Sequence, residues 1–198
     1  MLNQKRVREI LDRKMAWAKG HGVNDSSLGF GLMYYTITYA LAARVAVCLG
    51  SGGGLVPLLM KEAQRDLGIK YSRTILIDAN NGEWGSPVWL PSDSTLRQDY
   101  PDIEFWIMTT DDAVERLGDT STFINYCHID ANHSYEQARA DFDNYSQMLV
   151  NGGVITMHDT KTACGVPRVI AEIREMPEWD VVDFHEIGAG IALLKRSC

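Results

Sequence analysis

The chain has 198 residues, 45% of them apolar and 23% charged, a composition that supports a full-sized buried core and argues against a disordered chain. Its formal charge is −7 and its 19 basic residues are dispersed, so a nucleic-acid partner, which needs clustered Lys and Arg, is not expected. No apolar run reaches the roughly 18–20 residues of a membrane helix, and the nearest, 28–43, is broken by glycines, tyrosines and threonines; no membrane partner is expected.

The first residues lead into an amphipathic pattern that predicts a helix over 4–19, with Lys5, Arg6 and Arg8 on a solvated face and no signal-peptide core. A second helical pattern covers 32–43. Together they form N-terminal segments over 1–43, ahead of a core over 44–198, in one domain spanning 1–198. Four dispersed cysteines (Cys48, Cys127, Cys164 and Cys198) lack any C-x-x-C pair and read as reduced thiols in a cytoplasmic protein.

A strand over 44–49 runs into Leu49-Gly50-Ser51-Gly52-Gly53-Gly54 and a helix over 56–67 that ends at Gly68. Glycines let a backbone approach a ligand and deliver it to a helix N-terminus, which makes Gly50, Ser51 and Gly52 candidate contacts for a nucleotide-containing cofactor. The rival reading is a loop that merely turns. The spacing is not the G-x-G-x-x-G of dinucleotide-binding domains.

A strand over 74–78 ends on Asp78, at the sheet edge where an acid commonly accepts hydrogen bonds from ribose hydroxyls; a loop acid or helix cap is the alternative. The stretch 79–102 is irregular, with at most a short helix. Its Trp84 and Trp89 are candidates for a lid or an acceptor contact, or for packing under a loop. After a strand over 103–108, Asp111 is placed to reach an adenine amino group; otherwise Thr110 or Asp111 caps a helix beginning near Ala113.

Strands over 123–130, 153–158, 179–185 and 190–195, with helices over 135–149 and 166–176, complete the chain. The first five strands recur at βαβ spacing and are apolar throughout, as strands covered on both faces are. The last two are joined around Ile187-Gly188-Ala189, too short for a crossover, and read as an antiparallel hairpin. The expected fold is Rossmann-like α/β: a seven-stranded, mostly parallel sheet with a C-terminal antiparallel hairpin and helices on both faces.

Asp130 and His133 follow one strand and His158 and Asp159 end another. In a 1-4-5 strand order these four meet in one cleft, where carboxylates and imidazole suit a divalent cation beside a general base. The helix-capping alternatives are Asp130 as the cap of the next helix, His133 as part of its first turn, and His158 as a buried histidine bonded to backbone.

The segments Ile129-Asp130-Ala131-Asn132-His133-Ser134-Tyr135-Glu136 and Gly152-Gly153-Val154-Ile155-Thr156-Met157-His158-Asp159-Thr160, with the glycine loop, Asp78 and the hairpin, resemble the class I S-adenosylmethionine-dependent methyltransferases. Within that class the chain is most similar to the macrocin-type O-methyltransferase and cephalosporin-hydroxylase-related group, from about Leu32 to the C-terminus. The resemblance implies S-adenosylmethionine as cofactor, Asp130 and Asp159 as magnesium ligands, and His133 as general base. His158 stands where some relatives have a third acidic ligand, so another divalent cation, or none, is the alternative to Mg2+. Cys48 stands where relatives carry an acid two residues before the first glycine. The implied reaction is transfer of a methyl group to a hydroxyl of a small-molecule acceptor. Two other classes stay open: a methyltransferase-like binding protein without catalysis, and a nicotinamide-dependent oxidoreductase. The N-terminal helices either pair two subunits into a homo-oligomer or cover the sheet edge.

Overall fold

The computed structural model describes residues 1–80, 86–161 and 165–197. Seven strands form one sheet: β1 (Val45–Leu49), β2 (Arg73–Asp78), β3 (Ile103–Ile107), β4 (Ile124–Ile129), β5 (Leu149–His158), β6 (Trp179–Phe184) and β7 (Ile191–Arg196), in the order β3-β2-β1-β4-β5-β7-β6. Neighbours from β3 through β5 pair parallel. Strand β7 lies between β5 and β6 and runs antiparallel to both. This is the sheet expected from the apolar runs and the closing hairpin.

The helices are α1 (Gln4–Asp12), α2 (Leu32–Ala40), α3 (Leu55–Asp66), α4 (Thr95–Asp99), α5 (Thr110–Asp119), α6 (Tyr135–Gln147) and α7 (Gly165–Arg174). Alternate residues of β1 feed two cores. Val47 and Leu49 pack with α5, α6 and α7, whereas Ala46 and Cys48 pack with α1 to α4. Leu55 through Gln64 of α3 are all buried, because the sheet covers one side of that helix and α1 and α2 the other. Each fully buried aliphatic side chain there contributes about 1.5–3 kcal/mol.

The N-terminal region departs from expectation. The helix predicted over 4–19 stops at Asp12, because Lys14 and Trp17 adopt left-handed backbone conformations (φ 47° and 58°) and turn the chain back over the sheet edge. A 3-10 turn, Ala18–His21, follows. Arg6 is not on a solvated face: its guanidinium donates to both Glu62 oxygens at 3.0 and 2.9 Å, and Tyr100 also donates to Glu62, at 2.8 Å. Burial opposes the Glu62 charge, but these donors win and hold its carboxyl below the usual range.

Other boundaries shift less. β5 begins at Leu149 instead of 153, with an irregularity against β4 between Ile124 and Tyr126. α5 begins at Thr110 rather than near Ala113. The described part of 79–102 holds one short helix, α4. Among the described residues, no helix is long and apolar enough to cross a membrane.

Candidate active site

The strand order reverses between β1 and β4, and a cleft opens there beyond the carboxyl ends of the strands. It measures about 810 Å³, and its lining includes all nine residues named from the sequence: Gly50, Ser51, Gly52, Asp78, Asp111, Asp130, His133, His158 and Asp159.

The glycine loop is shaped by close backbone approach. Gly50 has φ 68°, and a Cβ there would lie 2.1 Å from the Asp130 carbonyl oxygen, so only glycine brings the loop against the end of β4. Trp89 supports the loop from beneath. It is fully buried and its indole N–H donates to the Ser51 carbonyl at 2.7 Å, which makes it a packing residue and not a lid. Trp84 lies outside the described residues, as do Cys164 and Cys198. Cys48 points away from the cleft into the α2–α3 core, where its thiol donates to the Gly50 carbonyl at 3.1 Å and burial pushes its pKa well up.

Asp78 ends β2 and accepts from the Asn80 N–H at 2.8 Å. Asp111 sits in the first turn of α5 but does not cap it; Thr109 does, accepting from the Asp112 N–H at 3.1 Å. Thr110 and Asp111 are therefore free of the capping role that was their rival reading.

The capping alternatives for the other end of the cleft are settled similarly. Ser134 caps α6, accepting from the Gln137 N–H at 3.3 Å, and its own N–H donates to Asn132. Asp130 and His133 are left to face inward. His133 Nε2 lies 3.0 Å from Asp159 Oδ2 and 3.5 Å from Asp130 Oδ1. His158 combines both of its readings: Nε2–H donates to the Gly20 carbonyl at 3.1 Å, and Nδ1 lies 3.0 Å from Asp159 Oδ2 and 3.3 Å from Asp130 Oδ1. Asp159 itself holds φ 63°, a left-handed backbone conformation that non-glycine residues rarely adopt and that clusters at functional sites.

Two further histidines belong to this cluster and were not singled out from the sequence. His21 Nε2 lies 3.6 Å from Asp130 Oδ2, and its Nδ1 meets the Tyr34 hydroxyl at 2.8 Å. His128, fully buried on β4, bonds Thr156 through Nδ1 at 2.8 Å; its Nε2 is 3.8 Å from Asp130 Oδ2 with no hydrogen-bond partner among the described residues. A histidine within an apolar strand was the only available sign of His128. Nothing local to 18–22 signals His21.

The electrostatics follow from this crowding. Hydrogen bonds to Asp130 and Asp159 outweigh burial and raise His133 to about 10. Burial would lower His158, but the charges of Asp130 and Asp159 raise it to about 11. For His21, burial and the neighbouring His158 charge outweigh the pull of Asp130 and Asp159 and lower it to about 3. The Asp130 carboxyl, surrounded by imidazoles, lies well below its usual range despite its burial.

Two triplets have ligand atoms within 4.8 Å of one another: His21, Asp130 and His158, and Asp130, His133 and Asp159. The donor set fits a divalent cation, and the buried His128 Nε2 behind Asp130, without a hydrogen-bond partner among the described residues, is consistent with it. The cleft fits a cofactor with a ribose near Asp78 and an anionic end at the glycine loop.

A family model described as a methyltransferase domain matches residues 47–160. Among solved structures, the chain is similar to a Bacillus cereus O-methyltransferase in complex with SAH (TM-score 0.71, 14% identity, covering 100% of this chain and 93% of that one). It is also similar to TomG of Streptomyces achromogenes, an O-methyltransferase involved in tomaymycin synthesis, in complex with SAM (TM-score 0.68, 14% identity, 100% of both chains). A putative caffeoyl-CoA O-methyltransferase from Staphylococcus aureus gives a TM-score of 0.69 at 11% identity, over 100% of this chain and 93% of that one. No curated protein sequence matches. The chain belongs to the methyltransferase-domain family.

Proposed function

We propose that this protein transfers the methyl group of S-adenosylmethionine to a hydroxyl of a small-molecule acceptor, a sugar or natural product. One observation carries the reading: the glycine loop, Asp78 and the His133–Asp159 pair open onto the same cleft. The bound cofactor supplies an already electrophilic methyl, so the protein's task is alignment of the acceptor oxygen and removal of its proton. Gly50, Ser51 and Gly52 hold the amino-acid end of the cofactor, Asp78 its ribose hydroxyls and Asp111 its adenine amino group. Residues 1–43 close the cleft over the core formed by 44–198, all within one domain.

His133 takes the acceptor proton, oriented by Asp159. In the resting site His133 already carries a proton, with its pKa raised to about 10, so the negative charge of Asp130 and Asp159 has to be offset before it acts as a base. Asp130, Asp159 and His158 would hold a divalent cation, which when bound would supply positive charge beside His133 and lower the pKa of a nearby hydroxyl. The buried, reduced Cys48 and Cys127 accord with a cytoplasmic location, and the dispersed basic residues with a partner that is neither nucleic acid nor membrane.

The test is calorimetric titration with S-adenosylhomocysteine, with and without divalent cation, on wild type and His133→Ala. Micromolar binding in both proteins is expected, with turnover lower by about 10²–10⁴ in the variant. Absence of binding refutes the reading. The resting protonation of His133 favours a second one, a binding protein without catalysis; S-adenosylhomocysteine binding with no turnover on any acceptor would establish it.

A further inference from the structure

We propose that Asp130, His21 and His158 bind a first-row transition-metal dication of the zinc class in preference to magnesium, with His21 delivered by the N-terminal strap 14–21. The proposal rests on the divalent-cation part of the reading above, and it adds a ligand that the resemblance does not supply.

Donor chemistry is the first reason. Magnesium takes oxygen ligands in tight octahedral geometry, whereas imidazole suits zinc, cobalt, nickel and iron. Here two rings and one carboxylate bring ligand atoms within 4.8 Å of one another. Distances are the second. Zinc bonds of about 2.0–2.2 Å in a tetrahedral site put ligand atoms about 3.4 Å apart. His158 Nδ1 and His21 Nε2 lie 3.3 and 3.6 Å from the two Asp130 oxygens.

Outer contacts are the third reason. Metal-bound histidines have their second nitrogen held by an oxygen, which fixes tautomer and ring orientation. His158 Nε2–H donates to the Gly20 carbonyl, which turns Nδ1 toward the site, where an ion would displace the proton it shares with Asp159. His21 Nδ1 is held by the Tyr34 hydroxyl, leaving Nε2. Behind the carboxylate, the fully buried His128 sets its Nε2 3.8 Å from Asp130 Oδ2.

The strap is itself fixed to both sides of the cleft. Its Gly20 carbonyl also accepts from the Ala189 N–H at 3.0 Å, and Trp17 lies on Gly52, where a Cβ would meet its ring at 2.6 Å. A cation on His21 would therefore tie the strap to β4 and β5. In this ligand set His21 takes the place that Asp159 has in the reading above, which leaves Asp159 to orient His133.

The test uses the chelator-stripped full chain, titrated with Zn2+, Co2+ and Mg2+, followed by zinc-edge X-ray absorption on the loaded protein. Zn2+ should bind as one ion per chain, at least about 100-fold tighter than Mg2+, with two imidazole rings in its coordination shell. His21→Gln, which keeps a polar side chain beside Tyr34, should weaken Zn2+ at least about tenfold and remove one ring from the shell. No zinc binding, an oxygen-only shell, or unchanged affinity in His21→Gln overturns the proposal. If that variant does not fold, the ring count in wild type decides alone, and fewer than two is a refutation. S-adenosylhomocysteine titration on the same sample separates the two readings: its binding without zinc sinks the metal site, and zinc without it sinks methyl transfer.

Discussion

His21 and His158 stack with ring centroids 4.1 Å apart and planes inclined by 30°, although one comes from the N-terminal strap and the other from the end of β5. Both rings reach the Asp130 carboxylate, one to each oxygen. They differ in charge: burial keeps His21 neutral, whereas Asp130 and Asp159 keep His158 protonated. The stack joins the chain's first segment to the residues that its sequence marks most clearly.

This arrangement predicts an unusual histidine titration in metal-stripped protein. His133 and His158, raised to about 10 and about 11, should remain imidazolium at pH 8, while His21, lowered to about 3, should be neutral at pH 5. The two raised groups contribute stability that is full below their unfolded value of about 6.5 and is lost as pH climbs through 10 and 11. His21 acts in the opposite sense, and its contribution is lost as pH falls below about 6.5. Ring-nitrogen NMR shifts report each state directly. A His158 or His133 ring that deprotonates near pH 6.5 would contradict the geometry.

Asp141 on α6 should limit stability at neutral pH. It is fully buried; one oxygen accepts from Gln137 Nε2 at 3.0 Å, and the other has no partner among the described residues. Burial pushes its carboxyl up to about 6. A folded-state value above the unfolded one means the native chain holds the proton more tightly, so stability falls as pH rises from about 4 through 6. Asp141→Asn should therefore raise the unfolding free energy at pH 7.5 by about 1–3 kcal/mol and change it little at pH 4.5. Urea denaturation at both values checks this; destabilisation at pH 7.5 would show that the charge is satisfied by other means.

The strap should be dislodged by one methyl group in the β6–β7 connection. Gly188 has φ 58°, and a Cβ there would lie 1.9 Å from the Gly20 carbonyl oxygen, the atom that Ala189 N–H and His158 Nε2–H both reach. Gly188→Ala should cost about 1–3 kcal/mol and speed hydrogen exchange across 14–21, with weaker S-adenosylhomocysteine binding. Gly152→Ala is the control: its φ of 77° carries the same backbone strain, but nothing lies within 4 Å of the added carbon. Equal effects on exchange in the two variants would mean that the strap is not held through Gly188.

The sheet was legible in the sequence because strand identity is local: continuous apolar runs at βαβ spacing, and a connection too short to be a crossover, leave little choice of topology. For the same reason the nine named residues reach one cleft, since each sits at the carboxyl end of a strand or just beyond it, and parallel strands bring those ends together. Their protonation was not legible. His133 reads as a base from its motif, but its charge depends on two carboxylates that arrive from β4 and β5.

His21 and the strap are the clearest case of what tertiary structure alone decides. The amphipathic pattern at 4–19 is compatible with a continuous helix, and only the packing of Ala16 and Trp17 onto the glycine loop accompanies the left-handed turns at Lys14 and Trp17 that break it. Likewise Trp89 carries no sign of its burial, which comes with its contacts to the Ser51 carbonyl of the glycine loop and to Phe105 of β3. Periodicity and turn chemistry act over a few residues and determined the strands, the glycine loop and the hairpin. Contacts between segments far apart in the chain decided which imidazoles share a carboxylate, because burial and charge pairing exist only once those segments meet.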